Sequence, residues 1–89
     1  MNQSALEFKV IRVHRLPDNG RIKAFVDMAI NDQLLLKGLR IVDGKRGLFV
    51  SMPQEKGKDN RWYNSVDCLS AEIRQEINTV VLSAFRQQS

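Results

Sequence analysis

The sequence predicts an α+β fold, a small antiparallel β-sheet of four or five strands followed by one C-terminal amphipathic helix. Three observations carry that expectation. Apolar residues alternate at a period of two through residues 6–53, turn-forming residues punctuate the alternation, and from Ser70 the period becomes helical. The strands precede the helix instead of alternating with it, which separates this class from α/β. The chain has 89 residues and reads as a single domain. A chain this short buries only about 60–65% of its unfolded surface, so its core is thin. Its composition, 43% hydrophobic and 27% charged, is that of a globular protein and not of a disordered one.

Residues 1–5 read as a tail. In the first strand Leu6, Phe8 and Val10 share a face, and the pattern then slips by one so that Ile11 and Val13 continue it. Such a slip marks a β-bulge or a strand covered on both faces. Leu16-Pro17-Asp18-Asn19-Gly20 is dense in turn chemistry, with Asn-Gly supplying the positive φ angles of a tight turn. Arg21 to Ile30 then alternates, with Ile22, Ala24, Val26, Met28 and Ile30 on one side and Arg21, Lys23 and Asp27 on the other. The two segments make a β-hairpin. Asn31-Asp32-Gln33 reverses the chain into a third strand, Leu34 to Val42, interrupted near Gly38. Asp43-Gly44-Lys45-Arg46-Gly47 closes a second hairpin into Leu48 to Met52, and Pro53 ends that strand because it cannot donate to a ladder.

Residues 6–53 are therefore two hairpins. Residues 54–61 contain no apolar side chain and read as a solvated basic loop, and residues 62–66 are a candidate fifth strand. The helix is expected over residues 70–86. Ile73, Ile77, Val80, Val81, Ala84 and Phe85 recur at helical spacing, Ser70 is a good N-cap, and Glu72 suits the first turn. Its apolar stripe must cover one face of the sheet.

The search for catalytic chemistry is negative. His14 and Cys68 are the only histidine and cysteine, and no third group is placed to orient a Cys–His pair. No CxxC, HxxxH or acidic calcium loop assembles a ligand set. Gly44-Lys45 lacks the glycine five positions earlier, where Leu39 stands, and the following Ser or Thr, where Arg46 stands, so it is not a Walker loop. The expectation is a protein without catalytic residues, metal, cofactor or small-molecule substrate. Residues 1–4 show no basic leader, and Leu34-Leu35-Leu36, the longest aliphatic run, is far below the roughly 20 residues that span a bilayer. With one cysteine and no sign of a disulfide framework, the chain is expected in the reducing cytoplasm.

The net charge of +4 is mild, but it is unevenly placed. Residues 1–61 hold twelve basic and seven acidic side chains, whereas residues 62–89 hold two basic and three acidic ones. Lys45 and Arg46 occupy one hairpin tip. Lys56, Lys58 and Arg61 line the polar loop, with Trp62 and Tyr63 directly after them. Lys and Arg neutralise phosphates and an aromatic ring can stack on an unpaired base, so this grouping suits nucleic acid. The same pattern also describes a solvated loop followed by a core tryptophan, and the residues alone leave both readings open.

The run Leu39-Arg40-Ile41-Val42-Asp43-Gly44-Lys45-Arg46-Gly47-Leu48-Phe49-Val50-Ser51-Met52-Pro53 closely resembles the signature of the SpoVG family of septation and sporulation regulators, which ends in Gly-Leu-Phe-Val-x-Met-Pro. Asn19-Gly20-Arg21 with the strand after it looks like the family's first hairpin, and Ile77 to Phe85 like its closing helix. The resemblance spans Phe8 to Phe85. It implies a homodimer that binds DNA or RNA as a regulator, with specificity associated with a Ser/Thr-rich, basic segment at the start of the last helix. Ser70 and Arg74 match that segment. Glu72 is an acidic intrusion, Glu76 stands where lysine is typical, and Cys68 where proline is usual. The expected nucleic-acid contacts are thus Lys45, Arg46, Lys56, Lys58 and Arg61 in the loops, with Ser70 and Arg74 at the helix start. The alternative is a dimeric protein–protein interaction module that does not touch nucleic acid.

Overall fold

The computed structural model describes residues 6–17 and 20–87. The chain forms β1 (Phe8–Arg15), β2 (Ile22–Ile30), β3 (Leu34–Gly44), β4 (Gly47–Ser51), β5 (Gln54–Lys56), β6 (Trp62–Asn64) and α1 (Ala71–Gln87). The first four pair antiparallel in the order β1-β2-β3-β4, and β5 and β6 form a separate two-stranded ribbon. The α+β expectation is met. The tail at residues 1–5 and the Asp18-Asn19 part of the first turn lie outside the described residues.

Each irregularity anticipated in the strands has a defined place. β1 bulges between Val10 and Arg12, and the extra residue, Ile11, is 54% exposed. Val13 returns to the core face as expected, but Ile11 does not. β2 and β3 slip where Gly38 takes a φ of +91°, a conformation that favours glycine. A second slip between Ile22 and Ala24 sets Ile22 opposite Val42 while Ala24 faces Ile41. Ile22 therefore leaves the face it was expected to share with Ala24, because each one-residue slip reverses the side on which a side chain falls. Asn31 and Asp32 make the β2–β3 turn with φ of 54° and 55°, and Gly47 takes +118° as β4 begins.

Antiparallel partners share a sheet face, so the register sorts the side chains. Arg15, Ala24, Ile41 and Val50 form one row, and Val13, Val26 and Leu39 another, on the face that α1 covers. Ala24, Val26, Met28, Leu39, Ile41 and Val81 are completely buried, with Ile77 and Met52 beside them. The other face carries the rows His14–Phe25–Arg40–Ser51 and Ile22–Val42–Phe49.

Two polar contacts fix the direction of α1 across the sheet. Asn78 Oδ1 accepts the Val50 amide at 3.2 Å, filling a backbone group on the outer edge of β4. At the far end Arg15 donates to the Phe85 carbonyl and lies 4.1 Å from the Phe85 ring, a cation placed at the negative end of the helix. The helix thus runs from β4 to β1. At 1.5 Å per residue its 17 residues span about 25 Å, against about 14 Å for four strands. Its first turns overhang the β4 edge.

Candidate nucleic-acid interface

Residues 54–61, expected to be a loop, begin with a strand. Pro53 ends β4, and its carbonyl accepts both the amide and the hydroxyl of Ser65, at 2.9 and 3.2 Å. That closes the base of the ribbon, and Gln54, Glu55 and Lys56 pair with Asn64, Tyr63 and Trp62. The candidate strand at 62–66 is real over Trp62–Asn64, but it pairs with β5 and does not extend the main sheet. Polar side chains hid β5, because neither of its faces enters the core.

The ribbon tip is fixed by its own hydrogen bonds. The Gly57 amide donates to the Arg61 carbonyl at 2.8 Å, and the Asn60 amide to the Gly57 carbonyl at 3.1 Å, with Asn60 at a φ of 65°. Asp59 Oδ1 accepts the Arg61 amide at 3.1 Å, and Oδ2 accepts the Tyr63 hydroxyl at 2.5 Å. The Tyr63 hydroxyl and then the Arg61 amide hold the Asp59 carboxyl below the usual carboxylate value, and the same carboxylate pushes the Tyr63 phenol up. Gly57 lies under the ring. A Cβ there would stand 2.9 Å from Tyr63 Cε2, so the ring covers backbone that only glycine exposes. Lys58 and Arg61 are exposed on this ordered tip.

Gln54, Lys56, Trp62 and Asn64 share the other ribbon face by register. Arg40 Nη1 donates to Gln54 Oε1 at 3.2 Å, Gln54 Nε2 to Asn64 Oδ1 at 2.9 Å, and Asn64 Nδ2 to Asp67 Oδ1 at 2.9 Å. The Arg40 guanidinium carbon lies 5.5 Å from the Trp62 ring and 5.8 Å from the Phe25 ring. The ribbon is thereby moored to the sheet face opposite the helix. Trp62 is 56% exposed, which decides between the two readings of the aromatic pair: it is a surface ring and not a core one.

The remaining site residues fall in two places. Lys45 and Arg46 are exposed at the β3–β4 tip, and the ribbon is rooted at the opposite end of β4, so the two basic loops arise from different ends of one strand. Ser70 caps α1, its Oγ accepting the Ile73 amide at 3.1 Å, and its carbonyl accepts the Arg74 amide at 3.2 Å. Arg74 and Glu72 are exposed in the first turn, and Glu76 is half-buried. Sequence reasoning missed Arg40 and Gln54 as site residues. No local signal reveals them, since their pairing depends on how the ribbon folds back. Among the described residues no cluster of three or more His, Cys, Asp or Glu side chains is placed to hold a metal, and no helix is long and apolar enough to cross a membrane.

Comparison with known proteins identifies the family. The SpoVG family model matches residues 6–87. A protein of Archaeoglobus fulgidus, provisionally named septation protein SpoVG, is 33% identical over 82 residues, which are 92% of this chain and 96% of that relative. A relative of the same name from Symbiobacterium thermophilum is 39% identical over 75 residues, 84% of this chain but 54% of the longer relative. One from Staphylococcus saprophyticus is 29% identical over 77 residues, 86% of this chain and 76% of that protein. With the match covering every strand and the whole closing helix, the chain belongs to the SpoVG family.

Proposed function

We propose that the chain is a homodimeric nucleic-acid-binding regulatory protein that acts in septation or gene regulation. The observation that supports this best is the ribbon. Lys56, Lys58 and Arg61 are exposed on an internally hydrogen-bonded tip next to an exposed tryptophan, an arrangement that offers both phosphate neutralisation and base stacking. Lys45, Arg46 and Arg74 add exposed cations, and Ser70 contributes by capping the turn that carries Arg74. The septation context comes from the names of the relatives. Dimerisation has separate support: Leu69 is 101% exposed just before the cap, an apolar side chain left for a second copy to cover.

Charge reversal tests the assignment. Changing Lys56, Lys58 and Arg61 together to Glu is expected to lower nucleic-acid affinity at least tenfold and to flatten its salt dependence, with a smaller loss for Lys45 and Arg46. Unchanged affinity in both variants would remove the loops from the site. The protein–protein reading is favoured by the bare Leu69 beside Glu72. A protein that shows no nucleic-acid binding even at low salt would establish it over the first.

A further inference from the structure

We propose that the sheet face left uncovered by the helix is a platform for single-stranded nucleic acid, on which Trp62 stacks a base and Arg40, Lys56, Arg12 and Lys9 meet the backbone. The proposal rests on the nucleic-acid reading above and assigns it a strand form and a surface.

The register places the participants. His14, Phe25, Arg40 and Ser51 form one continuous row across the four strands on this face. Arg12 stands on it opposite Asp27, and Lys9 opposite Ala29. The ribbon adds Lys56 and Trp62, cross-strand partners on the side that Arg40 contacts. Four cations and a histidine thus share this side of the molecule with the Phe25 and Trp62 rings, against two acids, Asp27 on the same sheet face and Asp67, which accepts from Asn64 of the ribbon. Glu72 and Glu76 ride on the helix that covers the opposite face. The charge of this face therefore complements a polyanion, although the helix start does not.

Arg40 is the centre of the arrangement. Its guanidinium lies within 6 Å of both aromatic rings and donates to a neutral amide, Gln54, so no carboxylate cancels its charge in that contact. Its Nε is buried without an acceptor. A charged, planar group held between two rings is preorganised to meet a phosphate or the edge of a stacked base. Trp62 is 56% exposed with the Arg40 guanidinium over its ring, which leaves ring surface for one base. A duplex keeps its bases stacked inside and offers no such face, which selects single strands.

Trp62 is the one tryptophan in the chain, so its fluorescence reports on this surface alone. The experiment titrates the full chain with a short labelled oligothymidylate, reading oligonucleotide anisotropy and Trp62 emission in the same samples. A matched duplex is titrated in parallel. The expected result is quenching of Trp62 in step with the anisotropy, tighter binding of the single strand than of the duplex, and a loss of about 5- to 100-fold in single-strand affinity for Trp62→Ala. Trp62→Phe should keep most of that affinity. Trp62 is outside the core, and the wild-type quenching needs no variant at all. Rising anisotropy with unchanged Trp62 emission and an unaffected Trp62→Ala would overturn the platform while leaving nucleic-acid binding intact. A blue shift that follows protein concentration and not oligonucleotide would overturn it too, by showing the face covered by a second copy. No anisotropy change for either probe at low salt would refute both the platform and the reading beneath it.

Discussion

Ser70 separates two roles that coincide at the start of the helix. Ser70→Ala removes the oxygen that accepts the Ile73 amide at 3.1 Å and leaves that donor to water. Loss of an N-cap costs about 1 kcal/mol, within a range of about 0.5–2. For a domain of this size each kcal/mol moves the melting temperature by about 4–8 °C, so the variant should melt about 4–8 °C lower. Ser70→Asp keeps an acceptor at the same place and adds a negative charge where the helix dipole favours one by about 0.3–1 kcal/mol. It should melt at or above the wild-type temperature. The assay is thermal unfolding followed by far-UV circular dichroism at one fixed protomer concentration, because a dimer's midpoint depends on concentration. If Ser70→Ala melts within 1 °C of wild type, or if Ser70→Asp is as destabilised as Ser70→Ala, the capping argument is wrong. Ser70 would then have to be read as a contact residue only.

Two further outcomes follow from the same geometry. Gly47→Ala should destabilise by about 1–3 kcal/mol, since φ of +118° is strained for any residue with a Cβ; an unchanged urea midpoint would show that the β3–β4 turn relaxes freely. Tyr63, the sole tyrosine, should ionise above its ordinary 10.0 and return there in Asp59→Ala, as read by phenolate absorbance. The sign is fixed by linkage. The raised phenol contributes to ribbon stability below pH 10 and loses that contribution above it, whereas the lowered Asp59 carboxyl contributes above the usual carboxylate range and loses it in acid.

Much of the fold is legible in the sequence because the core face repeats at a period of two. Val26, Met28, Leu39 and Ile41 announce themselves by alternation, and Ile73, Ile77 and Val81 by helical spacing. Ile11 and Ile22 mislead for one reason: a bulge moves an apolar residue to the other face, and nothing in its identity records the shift. β5 is hidden because Gln54, Glu55 and Lys56 gain their order from cross-strand partners and from Arg40, and not from burial. The charged residues of the candidate site are visible as a list. Their grouping is not, since it depends on the ribbon lying against Arg40 of β3, a tertiary contact between residues far apart in the chain.

The SpoVG architecture supplies a scaffold with two unlike sides. One side is a helix carrying Glu72 and Glu76, and the other is an aromatic and basic sheet face extended by the ribbon. Acids near a phosphate backbone weaken binding most when they face it, and screening reduces the penalty beyond about 10 Å at moderate salt. Departures from the family pattern at the helix start are therefore compatible with nucleic-acid binding carried elsewhere on the molecule.

The most direct test of that binding is the salt dependence of affinity for a short oligonucleotide, measured with the wild-type protein. Neutralising about four phosphates predicts a slope of about −2.8 for a single strand, or about −3.6 for a duplex, in log affinity against log salt. A slope near zero would contradict the account.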